Sequence, residues 1–425
     1  MRDVSPSPGR VPISGAAKIG LLASLYVAQG LPFGFFTQAL PVILRKRGMS
    51  LGAIGLSSVL ALPWALKFLW APLLDRYRLP GIGRRKSWIV PLQLLTVLPL
   101  LVLGAWPPER SLTPLFVTVL LVNLFAATQD IATDGLAVEM LAPEERGVAN
   151  GVQVGGYRAG MIVGGGLLLV LTERLGWSGT FVLMAALVAL TTLPILVTRE
   201  PAQPAPPPVA SAASVHFLRR AGSARILALL AVYKLGEAFA SGMLRPFLAD
   251  AGLSLADVGA LLGTWGFVAG LVGALAGGAL VGRLGRKGAL VGLGLLQAVS
   301  VAGYALVAHG SGGAGLDRHA LLVACVVEHF ASGMATAALF TCMMDWCEPA
   351  SAGTDYTVQA SAVVVATGVA AALSGFSAQA LGYSRHFAIA ALLAAAAVWA
   401  VYGLWPRAGG AGIGAPGKSS SLAAT

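Results

Sequence analysis

The sequence is poor in charged residues and in cysteine, and each shortage excludes a class of protein. Only 11% of its 425 residues are charged, against about 25% in a typical soluble domain. With 56% apolar residues, the chain cannot cover a water-facing surface, which excludes a soluble enzyme and a disordered protein. The three cysteines, Cys325, Cys342 and Cys347, share one apolar stretch. We interpret them as small core residues, which excludes a secreted disulfide scaffold and a metal site.

Acidic residues are scarce as well, since 18 Asp and Glu stand against 29 Lys and Arg, a formal net charge of +11. The cations lie in short gaps between apolar runs and not on one face of a domain, so we expect no nucleic-acid partner. In a membrane protein such an excess indicates topology. With the N-terminus inside, 18 Lys and Arg fall in inner segments and 7 in outer loops, which predicts that both termini are cytoplasmic.

Long apolar runs are what the sequence has in abundance. A membrane-spanning helix needs about 20 such residues, and the sequence contains twelve candidate runs. They predict an all-α polytopic membrane protein with a cytoplasmic tail at 1–17, a six-helix bundle at 18–197, a cytoplasmic linker at 198–223, a second bundle at 224–405 and a disordered tail at 406–425. The predicted spans are 18–44, 52–74, 88–106, 113–141, 148–172, 177–197, 224–248, 256–282, 288–309, 319–347, 356–380 and 385–405.

The two halves repeat each other at nearly constant spacing. Residues 48–55 match 252–259 at an offset of 204, and Gly-Arg-Arg at 83–85 matches Gly-Arg-Lys at 285–287 at an offset of 202. Six spans in each half make the repeats parallel in the membrane, which predicts the major facilitator fold with a central cavity. A third set of matches, at an offset of 206, pairs Pro143, Gly147 and Gln153 with Pro349, Gly353 and Gln359.

Two short basic loops, after the second and the eighth span, resemble the major facilitator signature Gly-x-x-x-Asp-Arg-x-Gly-Arg-Arg. Cations beside a carboxylate and a helix end could latch the two bundles together at the cytoplasmic face. The alternative is that these cations only set orientation, but Asp75 has no role in orientation. Gly282 stands where the second acid belongs, which predicts an asymmetric latch. The predicted gating residues are Asp75, Arg76, Arg84, Arg85, Arg283, Arg286 and Lys287.

Glycines and small residues at four-residue spacing predict close helix contacts in two spans. One series is Gly156, Gly160 and Gly164, and the other runs from Gly266 to Gly278. The string at 412–419 fits a nucleotide-binding pattern, but the strand and helix that a phosphate cradle needs are missing. We therefore expect no cofactor, and transport driven by an ion gradient or running downhill.

Ionisable residues within the spans carry most of the functional information, because each costs about 2.5–3.5 kcal/mol at the centre of a membrane helix. Equal depths of about 16 Å predict that Asp130 pairs with Arg158, and i,i+3 spacing predicts that Lys234 pairs with Glu237. These groups are either permanent salt bridges or a proton relay with a substrate-binding charge set. Arg245 is expected to extend outward toward the membrane surface. The predicted proton-coupling residues are Asp130, Asp134, Glu237 and Glu328, and the predicted cations for anionic parts of a solute are Lys67, Arg158 and Lys234.

Aromatic and amide side chains at similar depth are candidates for lining the cavity, although core packing is the ordinary role of an aromatic residue in a membrane helix. The Gly-Leu-Pro-Phe-Gly string at 30–34 predicts a break in the first span, which would free backbone carbonyl groups. The candidates for contact with a solute are Tyr26, Gln29, Phe33, Trp64, Tyr157 and Trp265.

Four strings in the first half, at 29–34, 63–75, 83–88 and 129–135, together resemble the AmpG-like and acetyl-CoA transporter branch of the major facilitator superfamily. The resemblance covers about residues 25–166. It implies a proton-driven importer of anhydromuropeptides, a permease for siderophores such as rhizobactin or pyochelin, or an acetyl-CoA carrier. It also implies that Lys67, Gln129, Asp130 and Asp134 are the family's intramembrane polar residues.

The expected function is a secondary-active permease in a bacterial-type inner membrane. It would import a medium-sized polar solute, of siderophore or anhydromuropeptide type, by proton-coupled alternating access. The expected partners are the solute and the lipid bilayer, and a monomer is expected. The alternatives are an acetyl-CoA-type or other organic-anion carrier and a non-transporting sensor with the same fold. An intramembrane enzyme using Asp130 and Asp134 is disfavoured, because both carboxylates lie on one helix.

Overall fold

The described residues fold into a bundle of helices that are rich in apolar residues. The computed structural model describes residues 14–40, 60, 62–79, 81–106, 113–198, 200, 217–253, 255–314 and 317–406. Within these ranges ten helices are long and apolar enough to cross a membrane. The described helices are α1 (Gly15–Gly34), α2 (Leu62–Leu66), α3 (Ala71–Arg76), α4 (Lys86–Ala105), α5 (Thr113–Met140), α6 (Arg146–Met161), α7 (Leu168–Thr191), α8 (Leu193–Val197), α9 (Ser223–Tyr233), α10 (Leu235–Asp250), α11 (Leu255–Val258), α12 (Phe267–Leu284), α13 (Arg286–Ala314), α14 (Arg318–Asp345), α15 (Ala352–Leu381) and α16 (Tyr383–Leu404).

Ten of the twelve predicted spans have a counterpart among these ten helices. The other two predicted spans, 52–74 and 148–172, overlap α2–α3 and α6. The segment 52–74 lies largely outside the described residues, which include its end as α2 and α3. The 16-residue helix α6 carries Asn150, Gln153 and Arg158. Three further predicted segments lie wholly or partly outside the described residues: residues 199 and 201–216 of the linker predicted at 198–223, the repeat segment at 48–55, and residues 407–425 of the tail predicted at 406–425.

Three π-helical turns and one glycine break modify the predicted spans. The predicted break at Pro32 is wrong, because α1 continues through it and the irregular part is a π-helical turn at Phe35–Ala39. The other π-helical turns are Ile162–Leu167 and Gly259–Gly266. Gly176, with a φ of 67°, divides α7 at the turn that was predicted between the fifth and sixth spans.

Buried apolar residues form three clusters, and their distribution describes the shape of the bundle. One cluster joins both halves, since it holds Leu22 and Ile131 together with Leu290 and Met343. The other two stay within one half each, around Phe181 in the first half and Phe387 in the second. Among the described residues, the halves therefore share a core at one end of the molecule and have separate cores toward the other.

Small residues let the helices approach closely, as the four-residue spacing predicted. A Cβ atom on Gly160 would lie 2.8 Å from the Cα atom of Gly30, so α6 and α1 meet backbone to backbone. A Cβ atom on Gly151 would lie 2.7 Å from the carbonyl oxygen of Ala274, which brings α6 of the first half against α12 of the second. The predicted seams are therefore confirmed.

Candidate functional site

A buried ion cluster joins the two halves at the end where they share a core. Asp75, at the end of α3, is fully buried and lies 2.6 Å from Nη2 of Arg85. Arg85 also pairs with Glu139 of α5 at 2.5 Å, as does Arg84 at 2.7 Å. Across the interface, Thr354 of α15 donates to Asp75 from its backbone N–H at 2.8 Å and from its hydroxyl at 2.5 Å. We name these five residues the Asp75 cluster.

The opposite charges within the Asp75 cluster stabilise one another. Burial lowers the pKa of the Arg85 guanidinium, but the carboxylates of Asp75 and Glu139 outweigh it and raise that pKa above its ordinary value. The cluster therefore carries two charged arginines and two carboxylates, all 3% exposed or less. A buried set of this kind is stable only while every member keeps its partners.

A second cluster joins the halves at the same end. Asp345, at the end of α14, lies 2.6 Å from Nη1 of Arg146 at the start of α6 and 2.5 Å from Nε of Arg286. Arg286 also donates to the carbonyl oxygen of Pro143 at 2.5 Å. We name these four residues the Asp345 cluster. Its four residues come from both halves, so this cluster also joins them. The motif of the second half has Gly282 in place of an acid, and Asp345 supplies the carboxylate of this cluster.

Four residues of these clusters were not predicted from the sequence, although the repeat between the halves could have identified two of them: Glu139, Asp345, Arg146 and Thr354. Glu139 and Asp345 are separated by the offset of 206 that relates Pro143 to Pro349. Extending the repeat by four residues would have identified both acids. Arg220, which pairs with Asp355 and lies 3.3 Å from Glu348, had no such signal.

Three predicted gating residues do not join these clusters. Arg76 is exposed, and its guanidinium lies 5.5 Å from the ring centre of Tyr77. Lys287 lies 4.4 Å from the ring centre of Tyr402. Arg283 is exposed and forms no ion pair within the described ranges. The three stay predictions as gating residues.

Asp130 is paired, but not with the residue expected from depth. Its carboxylate forms an ion pair with Lys67, which lies in the short 3₁₀ helix between α2 and α3. The predicted pair of Asp130 with Arg158 is therefore wrong. Equal depth could not decide the pairing, because it does not fix the rotation of α6 about its axis, and the head group of Arg158 lies against Gly270 of the second half.

Asp134 begins a chain of hydrogen bonds that reaches across the interface. Oη of Tyr26 donates to its carboxylate at 2.8 Å, and Nε2 of Gln153 donates to it at 3.2 Å. The same Nε2 lies 3.4 Å from the hydroxyl of Tyr356 in the second half. Buried Asp134 is thus connected by one side chain to the opposite bundle.

The predicted aromatic residues of the first half form one cluster. The ring centres of Phe33 and Trp64 are 5.4 Å apart, and those of Phe33 and Tyr157 are 5.6 Å apart. Trp64 also donates to Oδ1 of Asn123 at 3.0 Å. Gln29 is 1% exposed, and neither amide atom has a hydrogen-bond partner within the part of the chain that the structure describes.

A cavity of about 190 Å³ is lined by the second half and by Arg158 of the first half. Arg158 of α6 enters it from the first half, and the second half contributes Glu237 and Arg245 of α10 and Glu328 and His329 of α14. Arg245 lies 22 residues beyond the start of α9, so it is about 30 Å farther from the end that carries the ion clusters. The cavity therefore extends toward the end where the two cores are separate. Arg245 is exposed and lines this cavity.

The acids of the cavity already have partners. Glu237 pairs with Lys234, as predicted, and accepts a hydrogen bond from Ser332 at 2.6 Å. Glu328 lies 3.0 Å from Nδ1 of His329 and 3.3 Å from the hydroxyl of Tyr304. The structure thus brings together Arg158, Glu237 and Glu328 in one cavity.

The remaining predicted site residues lie elsewhere. Asp130, Asp134 and Lys67 belong to a separate cluster in the first half. Trp265 is 56% exposed and is not among the side chains that line the cavity. No cluster of His, Cys, Asp or Glu suited to a metal ion occurs among the described residues.

Comparison with known proteins agrees with this architecture. Residues 22–316 match the family model of the Major Facilitator Superfamily. The chain is 33% identical to the Anhydromuropeptide permease of Escherichia coli K12 over 86% of this chain and 75% of that protein. It is 30% identical to an uncharacterized protein of Haemophilus influenzae over 84% of this chain and 87% of that one.

Among solved structures, the chain is similar to the transporter FucP of this superfamily in the outward conformation. The TM-score is 0.68 at 16% identity, and the match covers 91% of this chain and 97% of that one. This likeness concerns the fold. Together with the family model and the 33% identical permease, it shows that the chain belongs to the major facilitator superfamily, in its AmpG-like branch.

Proposed function

We propose that the chain is a secondary-active permease of a bacterial inner membrane that imports an anhydromuropeptide by alternating access coupled to proton entry. The single observation that carries the proposal is the contrast between the two ends of the molecule. Buried ion clusters join the halves at one end, and toward the other end a cavity with ionisable side chains is lined by the second half and by Arg158 of the first. Alternating access requires a state that is closed at one end and holds a polar cavity beyond the closure, and the described residues fit that state.

The closed end is proposed to face the cytoplasm. The basic segments that carry Arg84, Arg85, Arg146 and Arg286 lie there, and positive loops favour the cytoplasmic side. The cavity then faces the periplasm, so the structure corresponds to a state ready to accept a solute from outside. Import requires the ion clusters to separate.

The proposed solute is taken from the name of a relative with a similar sequence. The Escherichia coli protein that is 33% identical over most of this chain is named for anhydromuropeptides. A polar cavity with Arg158, Glu237, Ser241 and His329 in its wall suits a solute of that polarity better than a lipid. Siderophores stay a second candidate class.

Proton coupling is assigned to the carboxylates buried in the spans. Asp130 and Asp134 lie one helical turn apart on α5 and share the first half with Lys67. Glu237 and Glu328 line the cavity itself. A buried carboxylate that loses or gains its partner as the halves move changes its proton affinity, which provides a means of loading and releasing a proton.

The test is uptake of radiolabelled anhydromuropeptide into proteoliposomes that contain the purified protein and carry an imposed pH gradient, acid outside. We expect accumulation that a protonophore collapses. The variant Asp130→Asn should lose accumulation and retain exchange of labelled for unlabelled solute. Glu145→Gln, which neutralises a carboxylate in a loop, is the matched control and should accumulate normally.

Two results would contradict the proposal. Absence of both uptake and exchange with the wild-type protein would favour a non-transporting sensor. Normal accumulation by Asp130→Asn would remove the proton assignment while leaving the permease intact.

A further inference from the structure

Arg158 differs from the other intramembrane cations that the structure describes in the first half. Lys67 is paired with Asp130, whereas Arg158 lines the cavity and forms no ion pair or hydrogen bond within the described ranges. Its nearest acidic neighbours, Glu237 and Glu328, are occupied by Lys234, Ser332, Tyr304 and His329. The guanidinium is therefore available to a group that the protein does not itself provide.

Gly270 of α12 gives this guanidinium its position. The three atoms nearest to a Cβ built on Gly270 all belong to the head group of Arg158, with Cζ at 2.5 Å and Nη2 at 3.2 Å, while Nη1 would overlap the added atom. Any side chain at 270 would displace the head group. Because no backbone atom is among those three, the helix itself can accept the substitution.

The charges of the cavity leave it net positive. Two pairs of side chains at the cavity contribute little net charge, because an acid and a cationic or ionisable group lie together in each: Glu237 with Lys234, and Glu328 with His329. Arg158 and Arg245 are added to these pairs, and neither has an acidic partner in the part of the chain that the structure describes. A cavity with surplus guanidinium groups attracts anions.

We infer that Arg158, held against Gly270, is the carboxylate subsite of the cavity, and that Gly270 is the positioning residue that aims it. This inference rests on the proposed permease function and names the chemical class of its solute. A guanidinium offers two parallel N–H donors to a carboxylate, and a lysine ammonium has no such fork. Arg245, nearer the open end, adds a second cation along the entry path.

The experiment compares two forms of one probe, an anhydromuropeptide with free carboxylates and the same molecule with its carboxylates converted to carboxamides. Initial uptake rates into proteoliposomes give KM and the maximal rate for each. The wild-type protein should prefer the free acid by at least about tenfold in KM. The loss of one charged hydrogen-bonding partner, about 1.5–3 kcal/mol, corresponds to about a tenfold or larger change.

Two variants separate the subsite from general damage. Arg158→Gln removes the charge, and Gly270→Ala keeps the charge but displaces it. Both should raise KM for the free acid at least about tenfold, with KM for the carboxamide nearly unchanged. Gly263→Ala is the matched control, because a Cβ there meets no atom of the described residues within 4 Å, and it should behave as wild type.

Thermal stabilisation of the detergent-solubilised protein by each probe gives a second readout. The free acid should raise the melting temperature of the wild type and of Gly263→Ala, and it should not raise that of Gly270→Ala. Equal KM values for acid and carboxamide in the wild type, or an unchanged KM in Gly270→Ala, would overturn the subsite and leave the permease standing. Binding of the acid without any uptake would instead retain the subsite and contradict the permease.

Discussion

Lys67 and Asp130 show how a charge is tolerated inside this bundle. Each is buried and the two form an ion pair. Removing one partner from a buried pair costs about 3–5 kcal/mol, because the other charge stays buried without compensation, whereas replacing both partners with apolar residues is often neutral. Structural and functional roles of the pair can therefore be separated by comparing single and double variants.

We expect Asp130→Leu to lower the free energy of unfolding by about 3–5 kcal/mol and the double variant Lys67→Met/Asp130→Leu to recover most of it. Thermal unfolding in detergent measures this recovery. Gradient-driven uptake should stay absent in the double variant. If uptake returned together with stability, the pair would be a structural salt bridge only.

Glu145 gives a pH dependence outside the membrane. The pKa of its carboxyl group is below the ordinary value of 4.5, because Nζ of Lys18 donates at 2.7 Å and the backbone N–H of Ala142 donates at 2.9 Å. A lowered folded-state pKa stabilises the folded protein above about pH 4.5, and this contribution disappears as the pH falls through the lower folded value.

The melting temperature of the wild type should therefore exceed that of Glu145→Gln by a small margin at pH 7, consistent with about 0–1 kcal/mol for a partly exposed pair. The margin should disappear near pH 3. A margin that is the same at both pH values would mean that Lys18 does not act on the ionised carboxylate.

At the scale of helices, glycine decides how closely α1 and α6 approach. Gly30 and Gly160 face each other, and a Cβ on Gly160 would lie 2.8 Å from the Cα atom of Gly30. Both groups are backbone, so neither can move without shifting a helix. The same contact explains why α1 runs on through Pro32, since packing against α6 stabilises the helix that the proline disfavours.

We expect Gly160→Ala to lower stability by about 1–3 kcal/mol, the ordinary cost of overpacking. Gly292→Ala is the matched control within a helix, because its added Cβ meets no atom within 4 Å in the part of the chain that the structure describes, and it should be neutral or slightly stabilising. The yield of monodisperse protein on size exclusion and its melting temperature measure the difference. Equal stability of the two variants would show that the α1–α6 contact is looser than described.

At the scale of the whole molecule, we propose that the balance between the closed and the open state of this end depends on the Asp75 cluster and the Asp345 cluster. Each cluster ties an element of one half to an element of the other, and Thr354 reaches Asp75 from the start of α15. Weakening them should favour the state in which this end is open, because those contacts exist only when the halves are together.

In a background with the three native cysteines replaced, Asp75→Asn should therefore increase the reactivity of a cysteine placed at Ala352 toward a membrane-impermeant maleimide in inside-out vesicles. Ala352 is buried at the start of α15 and does not belong to the cluster. Arg78→Gln, at an exposed position of the same loop and outside both the cluster and the predicted gating residues, is the control and should leave labelling low. Unchanged labelling in Asp75→Asn would show that the cluster does not hold this end closed.

The sequence by itself determined the helical class, ten of the span positions to within a few residues, the repeat, the glycine seams and the pair of Lys234 with Glu237. These features follow from local composition and spacing, because hydropathy, helical period and the repeat offset are all read along the chain. Asp75, Arg84, Arg85 and Arg286 could be singled out for the same reason, since each lies in a short continuous motif. The structure places them in the two ion clusters, and their gating role stays a prediction.

Only the tertiary structure decided which charged side chains lie next to each other and form ion pairs. Depth along a helix says nothing of rotation about its axis, so it could not show that Lys67 pairs with Asp130 while Arg158 faces Glu237, Glu328 and Gly270 in the other half. Nor could it show that Asp345 completes a second cluster with Arg146. Those contacts join residues up to about 200 positions apart, and the close packing of α6 against α1 and α12 fixes the rotation that brings them together.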